Sequence, residues 1–88
     1  MTTEELIQQV NEILIEGFEV EPDLLRPEAS LADDLGLDSL DGVDIVVAME
    51  KEFGCRIEEA EARAMRTLKD IYDSVERLVA DLGEESQS

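Results

Sequence analysis

The chain has 88 residues and sets 24 Asp plus Glu against seven Lys plus Arg, a formal charge of −17 at pH 7. That length suffices for one small core but not for a substrate cleft between two lobes, and that charge repels nucleic acid and anionic membrane surfaces, leaving basic protein surfaces as natural partners. With 43% apolar residues, no Trp, one Tyr and two Phe, the interior is expected to be aliphatic and softened by methionine.

The first helix is expected from about Thr3 to about Glu16. Thr2 and Glu5 have capping-box spacing, and Leu6, Ile7, Val10, Ile13 and Leu14 recur at helical intervals on one side. Gly17 reads as its stop, and Pro22 and Pro27 oppose helix over the next twenty residues or so. So long a connection in a small domain is either functional or held down by its own apolar residues, here Leu24, Leu25, Leu31, Leu35 and Leu37. Ser30 and Asp33 are placed to cap a single helical turn within it.

A second helix is predicted from Ser39 to about Phe53, with two apolar sets. Ile45, Val46, Met49 and Phe53 suit the core, whereas Leu40, Val43 and Val47, flanked by Asp41, Asp44 and Glu50, are displaced around the helix and available to a third helix or a partner. Gly54 ends it and Cys55–Ile57 connects to a short helix over Glu58–Met65, where Ala60, Ala62 and Ala64 permit close approach. Thr67 with Asp70 opens a last helix carrying Leu68, Ile71, Val75, Leu78 and Leu82, and Gly83 reads as its end. The fold class is therefore all-α: a bundle of three longer helices and one short one with a long first loop, a domain over residues 1–83 followed by a mobile polar tail over 84–88.

Cys55 is the only cysteine and there is no histidine, so no intrachain disulfide forms, no zinc-site spacing exists and no resident metal is expected. Cys55 reads as a small apolar packing residue. No segment approaches the roughly 18 apolar residues of a membrane span, and a reducing, cytoplasmic setting is expected. Charge repulsion within the chain predicts a melting temperature that rises with added salt, because screening shortens its range. Melts at low and high ionic strength check this, and a flat response contradicts it.

Ser39 is the residue to account for. A hydrolytic nucleophile needs a base within hydrogen-bond reach, and the chain lacks both histidine and a Gly-x-Ser-x-Gly elbow. One reading makes Asp38 or Ser39 simply the cap of the helix, with Asp41 three residues on as partner. Alternatively Ser39 accepts a phosphodiester installed by another enzyme, since a helix N-terminus favours anions by about 0.3–1 kcal/mol. A calcium loop fits poorly: counting back from a glycine at its sixth position puts the first ligand at Leu31 or Leu37. An interaction module without a prosthetic group, using Leu40, Val43 and Val47, is a further reading.

The run Asp34-Leu35-Gly36-Leu37-Asp38-Ser39-Leu40-Asp41, followed by Val43, Asp44, Ile45, Val46, Ala48, Met49, Glu50, Glu52 and Phe53, resembles the acyl carrier proteins, and the similarity extends from Leu6 to about Leu82. The resemblance implies a noncatalytic carrier, with 4′-phosphopantetheine attached to Ser39 from coenzyme A by a separate holo-synthase or other phosphopantetheinyl transferase. It implies Asp38 as a magnesium contact during that transfer, and acyl thioesters presented to ketosynthases, acyltransferases or ligases with basic docking surfaces. The expected partner-binding residues are Leu40, Asp41, Val43, Asp44, Val47, Glu50 and Ile57; an acyl pocket would involve Val43, Val46, Met49, Ala62, Met65 and Ile71, with ordinary core packing as the alternative for each. A peptidyl or D-alanyl carrier is the alternative, and a monomer is expected. Gly42, Lys51, Arg56 and Arg63 depart from the common fatty-acid carriers, which leans toward a freestanding carrier dedicated to one pathway of fatty-acid, lipid or polyketide-type synthesis.

Overall fold

The computed structural model describes residues 2–87, with side chains described through residue 81. Four α-helices follow in order: α1 (Thr3–Phe18), α2 (Ser39–Phe53), α3 (Glu59–Ala64) and α4 (Leu68–Gln87), with a 3-10 turn at Pro22–Leu24 inside the long first connection. α1 packs on α2 and α4, α2 also meets α4, and the short α3 leans on α2. The core between them takes Leu6, Val10 and Leu14 from α1, Ile45 and Met49 from α2, and Leu68, Ile71, Tyr72 and Val75 from α4, closed by Val20, Leu37 and Ile57 from the connections.

α1 begins where expected. The Thr2 hydroxyl accepts from the Glu5 N–H at 3.2 Å and donates to Glu5 Oε1 at 3.1 Å, so one N–H left without a helical partner is satisfied. The helix does not stop at Gly17 but runs on to Phe18, and Glu19 takes the left-handed conformation with φ +56°. The next residue gives the reason: Val20 is buried at 5% exposure. Turning the chain at Glu19 carries Val20 into the core, while the N–H groups of Glu19 and Val20 both donate to the Leu14 carbonyl.

The long connection is held at both ends. Leu37 is buried and Leu25, Leu31 and Leu35 are half-buried, but Leu24 faces solvent at the end of the 3-10 turn and is not a tie. Residues 31–34 form turns and not a helix. The Ser30 hydroxyl accepts from the Asp33 N–H at 3.1 Å, and the carboxylate that answers the Ser30 N–H, at 2.7 Å, is that of Asp34, not Asp33. The connection also completes the start of α4: the Leu68 N–H donates to the Ala29 carbonyl at 3.0 Å and the Lys69 N–H to Pro27 at 2.9 Å, while the Leu31 N–H returns a bond to Arg66 at 2.9 Å. Backbone groups that a helix start leaves unpaired thus fasten the loop.

At that junction Asp70 Oδ2 accepts from the N–H groups of Arg66 (2.9 Å) and Thr67 (3.1 Å), and the Asp70 N–H donates to Thr67 Oγ1 at 3.3 Å. These backbone donors hold the Asp70 carboxyl below its ordinary value of 3.8. A lowered folded-state pKa means stabilisation present above the ordinary value and lost as pH falls through the folded one. Asp70→Asn is therefore expected to be less stable than the parent at neutral pH, with the difference shrinking below about pH 3.8; denaturant titrations at pH 7 and pH 3 check this.

α2 and α3 lie within a residue of their predicted limits, and Gly54 closes α2 with φ +64°, where a side chain would be strained. Of the three alanines expected to allow close approach, Ala62 is half-buried while Ala60 and Ala64 face solvent. α4 passes through Gly83 to Gln87; a glycine inside a helix costs only about 1 kcal/mol and need not end it. Residues 84–87, expected in a mobile tail, continue the backbone of α4 instead, while Ser88 and the side chain of Leu82 lie outside the described residues. Tyr72, which the i, i+3 and i+4 pattern passed over, is buried with its hydroxyl donating to Asn11 Oδ1, so the core has one aromatic with a polar end.

Gly42 lies inside α2, and a Cβ built there would meet nothing within 4 Å. Gly42→Ala is expected to stabilise the protein by about 0.4–1 kcal/mol, read as a rise of several degrees in melting temperature. No helix among the described residues is long and apolar enough to cross a membrane.

Candidate functional site

The connection arrives at α2 through Gly36, in the left-handed region with φ +67°, and Leu37, buried at 8% exposure. Anchoring Leu37 in the core fixes where the next residue leaves the surface. Asp38 is extended (φ −91°, ψ −175°) and is the N-cap of α2. Its Oδ1 accepts from the Asp41 N–H at 2.9 Å, and Asp41 Oδ2 accepts from the Asp38 N–H at 3.1 Å, a complete capping box. The two roles weighed for this position are thereby divided. Asp38 caps; Ser39, the first helical residue, is exposed, and among the described residues no side-chain hydrogen bond engages its hydroxyl.

Below Ser39, the outer face of α2 carries Leu40 (75% exposed), Val43 (61%) and Val47 (42%), which no other helix covers. Asp44 is exposed beside them and Asp41 is half-buried. Two of the expected partner residues have other duties. Ile57 is buried at 7% exposure, because the short connection after α2 turns it into the core. Its N–H donates to Glu50 Oε2 at 2.9 Å, so Glu50 is half-buried and bonded within the fold, with one oxygen left over.

The expected acyl pocket also divides. Met49 and Ile71 are fully buried, and Val46, Ala62 and Met65 pack against the same core, but Val43 points away from it on the exposed face and lines no interior space. A shallow cleft of about 160 Å³ is lined by Met65 with Glu61, Ala64, Asp70, Asp73 and Ser74. A second, of about 370 Å³, lies between the end of α1 and the start of α2, bordered by Phe18, Leu35, Asp41 and Asp44. Neither is lined by Val46, Met49, Ala62 or Ile71.

Other candidates recede. Burial, and then the neighbouring Glu50, push the half-buried Cys55 thiol above its ordinary value, which disfavours the reactive thiolate. Among the described residues no group of three or more acidic or sulfur ligands is gathered to hold a metal ion. Arg63 is paired with Glu59 at 2.5 Å, and Arg77 with Glu61, an α4–α3 pair that no sequence period announces.

Residues 8–75, with Ser39 inside them, match the family described as "Phosphopantetheine attachment site". The chain is 39% identical over 80 residues to an acyl carrier protein of Thermosynechococcus vestitus, covering 91% of this chain and 99% of that one. The chain belongs to the acyl carrier protein family. An acyl carrier protein of Bdellovibrio bacteriovorus is 42% identical over 69 residues, covering 78% of this chain and 88% of its own. The crystal structure of an acyl carrier protein from Thermotoga maritima matches with a TM-score of 0.81 at 31% identity, over 91% of this chain and 93% of that one. As an acyl carrier protein the chain bears phosphopantetheine and is not itself an enzyme, in keeping with a site that offers a hydroxyl without a general base. A phosphopantetheinyl transferase and acyl-processing enzymes are the partners this implies.

Proposed function

We propose that Ser39 bears 4′-phosphopantetheine and that α2 is the face on which partner enzymes receive the cargo. The observation that carries this is the division at the helix start, where the cap is made by Asp38 and Asp41 and the adjoining hydroxyl is exposed and unengaged. Attachment forms a bond between Ser39 Oγ and the phosphorus of the pantetheine arm and breaks the one to the nucleotide portion of coenzyme A; the serine proton leaves to a base of the transferase. The start of α2 tolerates the added phosphate through its partial positive charge. Asp38 uses Oδ1 in the cap, which leaves its second oxygen to meet a magnesium ion whose other ligands come from the transferase and coenzyme A. When bound, the arm supplies a terminal thiol on which an acyl group is held as a thioester.

Asp41, Asp44 and the remaining oxygen of Glu50 speed encounter with basic surfaces, and Leu40, Val43 and Val47 supply shape and apolar contact. Small interfaces of this kind release quickly, as a carrier visiting several enzymes requires. We place the protein in the cytoplasm, in a dedicated branch of fatty-acid, lipid or polyketide-type synthesis. Two steps test the function. Coenzyme A with a broad transferase is expected to raise the intact mass by one phosphopantetheine unit; the loaded protein, offered fatty acids with an acyl ligase and amino acids with an adenylating ligase, is expected to take the fatty acid. Loading with amino acids alone would make it an aminoacyl carrier.

A further inference from the structure

Lys51 sits where the docking face changes sign. Successive residues of a helix are offset by about 100°, so Leu40, Asp44, Val47 and Lys51, at spacings of four, three and four, share one stripe opposite the buried Ile45 and Met49. Lys51 is exposed and lies roughly 16 Å along the axis from Leu40 at about 1.5 Å per residue. Only seven basic residues occur in the chain. Arg63 and Arg77 are answered by Glu59 and Glu61, whereas among the described residues no carboxylate pairs with Lys51 or with Arg26, Arg56, Arg66 and Lys69, and of these five only Lys51 lies on α2. A lysine in the last turn of a helix is favourable to the helix dipole, but that does not require the centre of the exposed stripe.

Resting on the carrier reading above, we propose that Lys51 is a specificity-determining residue. It favours partner enzymes whose docking surface is basic opposite Asp41 and Asp44 but acidic opposite Lys51, and it disfavours those that are basic throughout. Like charges facing each other in a small interface slow encounter and suppress the wrong partner, and opposite charges do the reverse. An apolar contact between charges of both signs also fixes the direction in which the helix lies on its partner.

The test uses an acyltransferase with a wholly basic docking surface, in its unaltered form and in a form whose basic residue facing Lys51 is exchanged for Glu. Parent, Lys51→Glu and Lys51→Gln carriers are first confirmed by intact mass to hold the arm. The parent is expected to be about five- to tenfold better in kcat/KM with the exchanged enzyme, and Lys51→Glu correspondingly better with the unaltered one. Lys51→Gln is expected to discriminate little, and the differences are expected in KM and to collapse in about 0.5 M salt. Ratios within about twofold for parent and Lys51→Glu, or a preference that survives salt, overturn the proposal. A lowered melting temperature of Lys51→Glu without the reversal assigns the lysine to the helix dipole alone and overturns it too. If no carrier takes up the arm, the carrier reading fails and this inference with it; armed carriers that do not discriminate sink only the role of Lys51.

Discussion

Ser39→Ala is expected to abolish attachment of the arm while leaving stability within about 0.5 kcal/mol of the parent. The serine is exposed and makes none of the cap bonds, and alanine is at least as good a helix former, so nothing in the fold depends on the hydroxyl. Asp38→Ala is the instructive contrast. It keeps the hydroxyl but leaves the Asp41 N–H without its acceptor at 2.9 Å, a loss of about 0.5–2 kcal/mol. Intact mass after incubation with transferase and coenzyme A, together with thermal melting of both variants, separates the two effects. A Ser39→Ala protein that unfolds, or that still gains mass, would contradict the assignment of roles at this helix start.

Leu68→Ala is expected to be the most damaging of the single changes to stability, at about 2–5 kcal/mol. Leu68 has 0% exposure and sits among the largest fully buried side chains. A small domain has on the order of 5–15 kcal/mol in total, so such a loss brings the protein near unfolding at moderate temperature. The consequence reaches the site because the Leu68 N–H also holds the Ala29 carbonyl of the long connection, and that connection sets Leu37 and hence Asp38. Denaturant unfolding measures the loss; a decrease below about 1 kcal/mol would contradict the packing described here. Faster amide exchange at Leu31 and Leu37, whose N–H groups donate to the Arg66 and Leu31 carbonyls respectively, is expected alongside it.

The helices were legible because their signals are local. Capping pairs at Thr2 and Thr67, a glycine at Gly54, and apolar spacings of three and four act within a turn or two, and α2 begins and ends where those signals place it. The outer stripe of Leu40, Val43 and Val47 was legible for the same reason, since its angular displacement from Ile45 and Met49 is set by helical geometry alone. What was misplaced depended on contacts across the chain. Ile57 looks like a surface residue until the turn after Gly54 delivers it to the core, and its N–H then occupies Glu50. Val43 is expected both in the pocket and on the partner face, and its 61% exposure puts it on the outer side of α2. Gly17 suggested a stop, but the burial of Val20 moved the turn to Glu19. The position of Ser39 at the helix start could be read directly, whereas its freedom from the cap required the bond between Asp38 and Asp41.

The central claim concerns one oxygen atom. The chain has other serines at Ser30, Ser74, Ser86 and Ser88, and fragmentation mass spectrometry of the enzymatically loaded protein reads which hydroxyl carries the arm. A single phosphopantetheine unit on the peptide containing Ser39, localised to that residue, is the expected result. An arm on any other residue, or no arm on a folded protein exposed to a competent transferase, would contradict it.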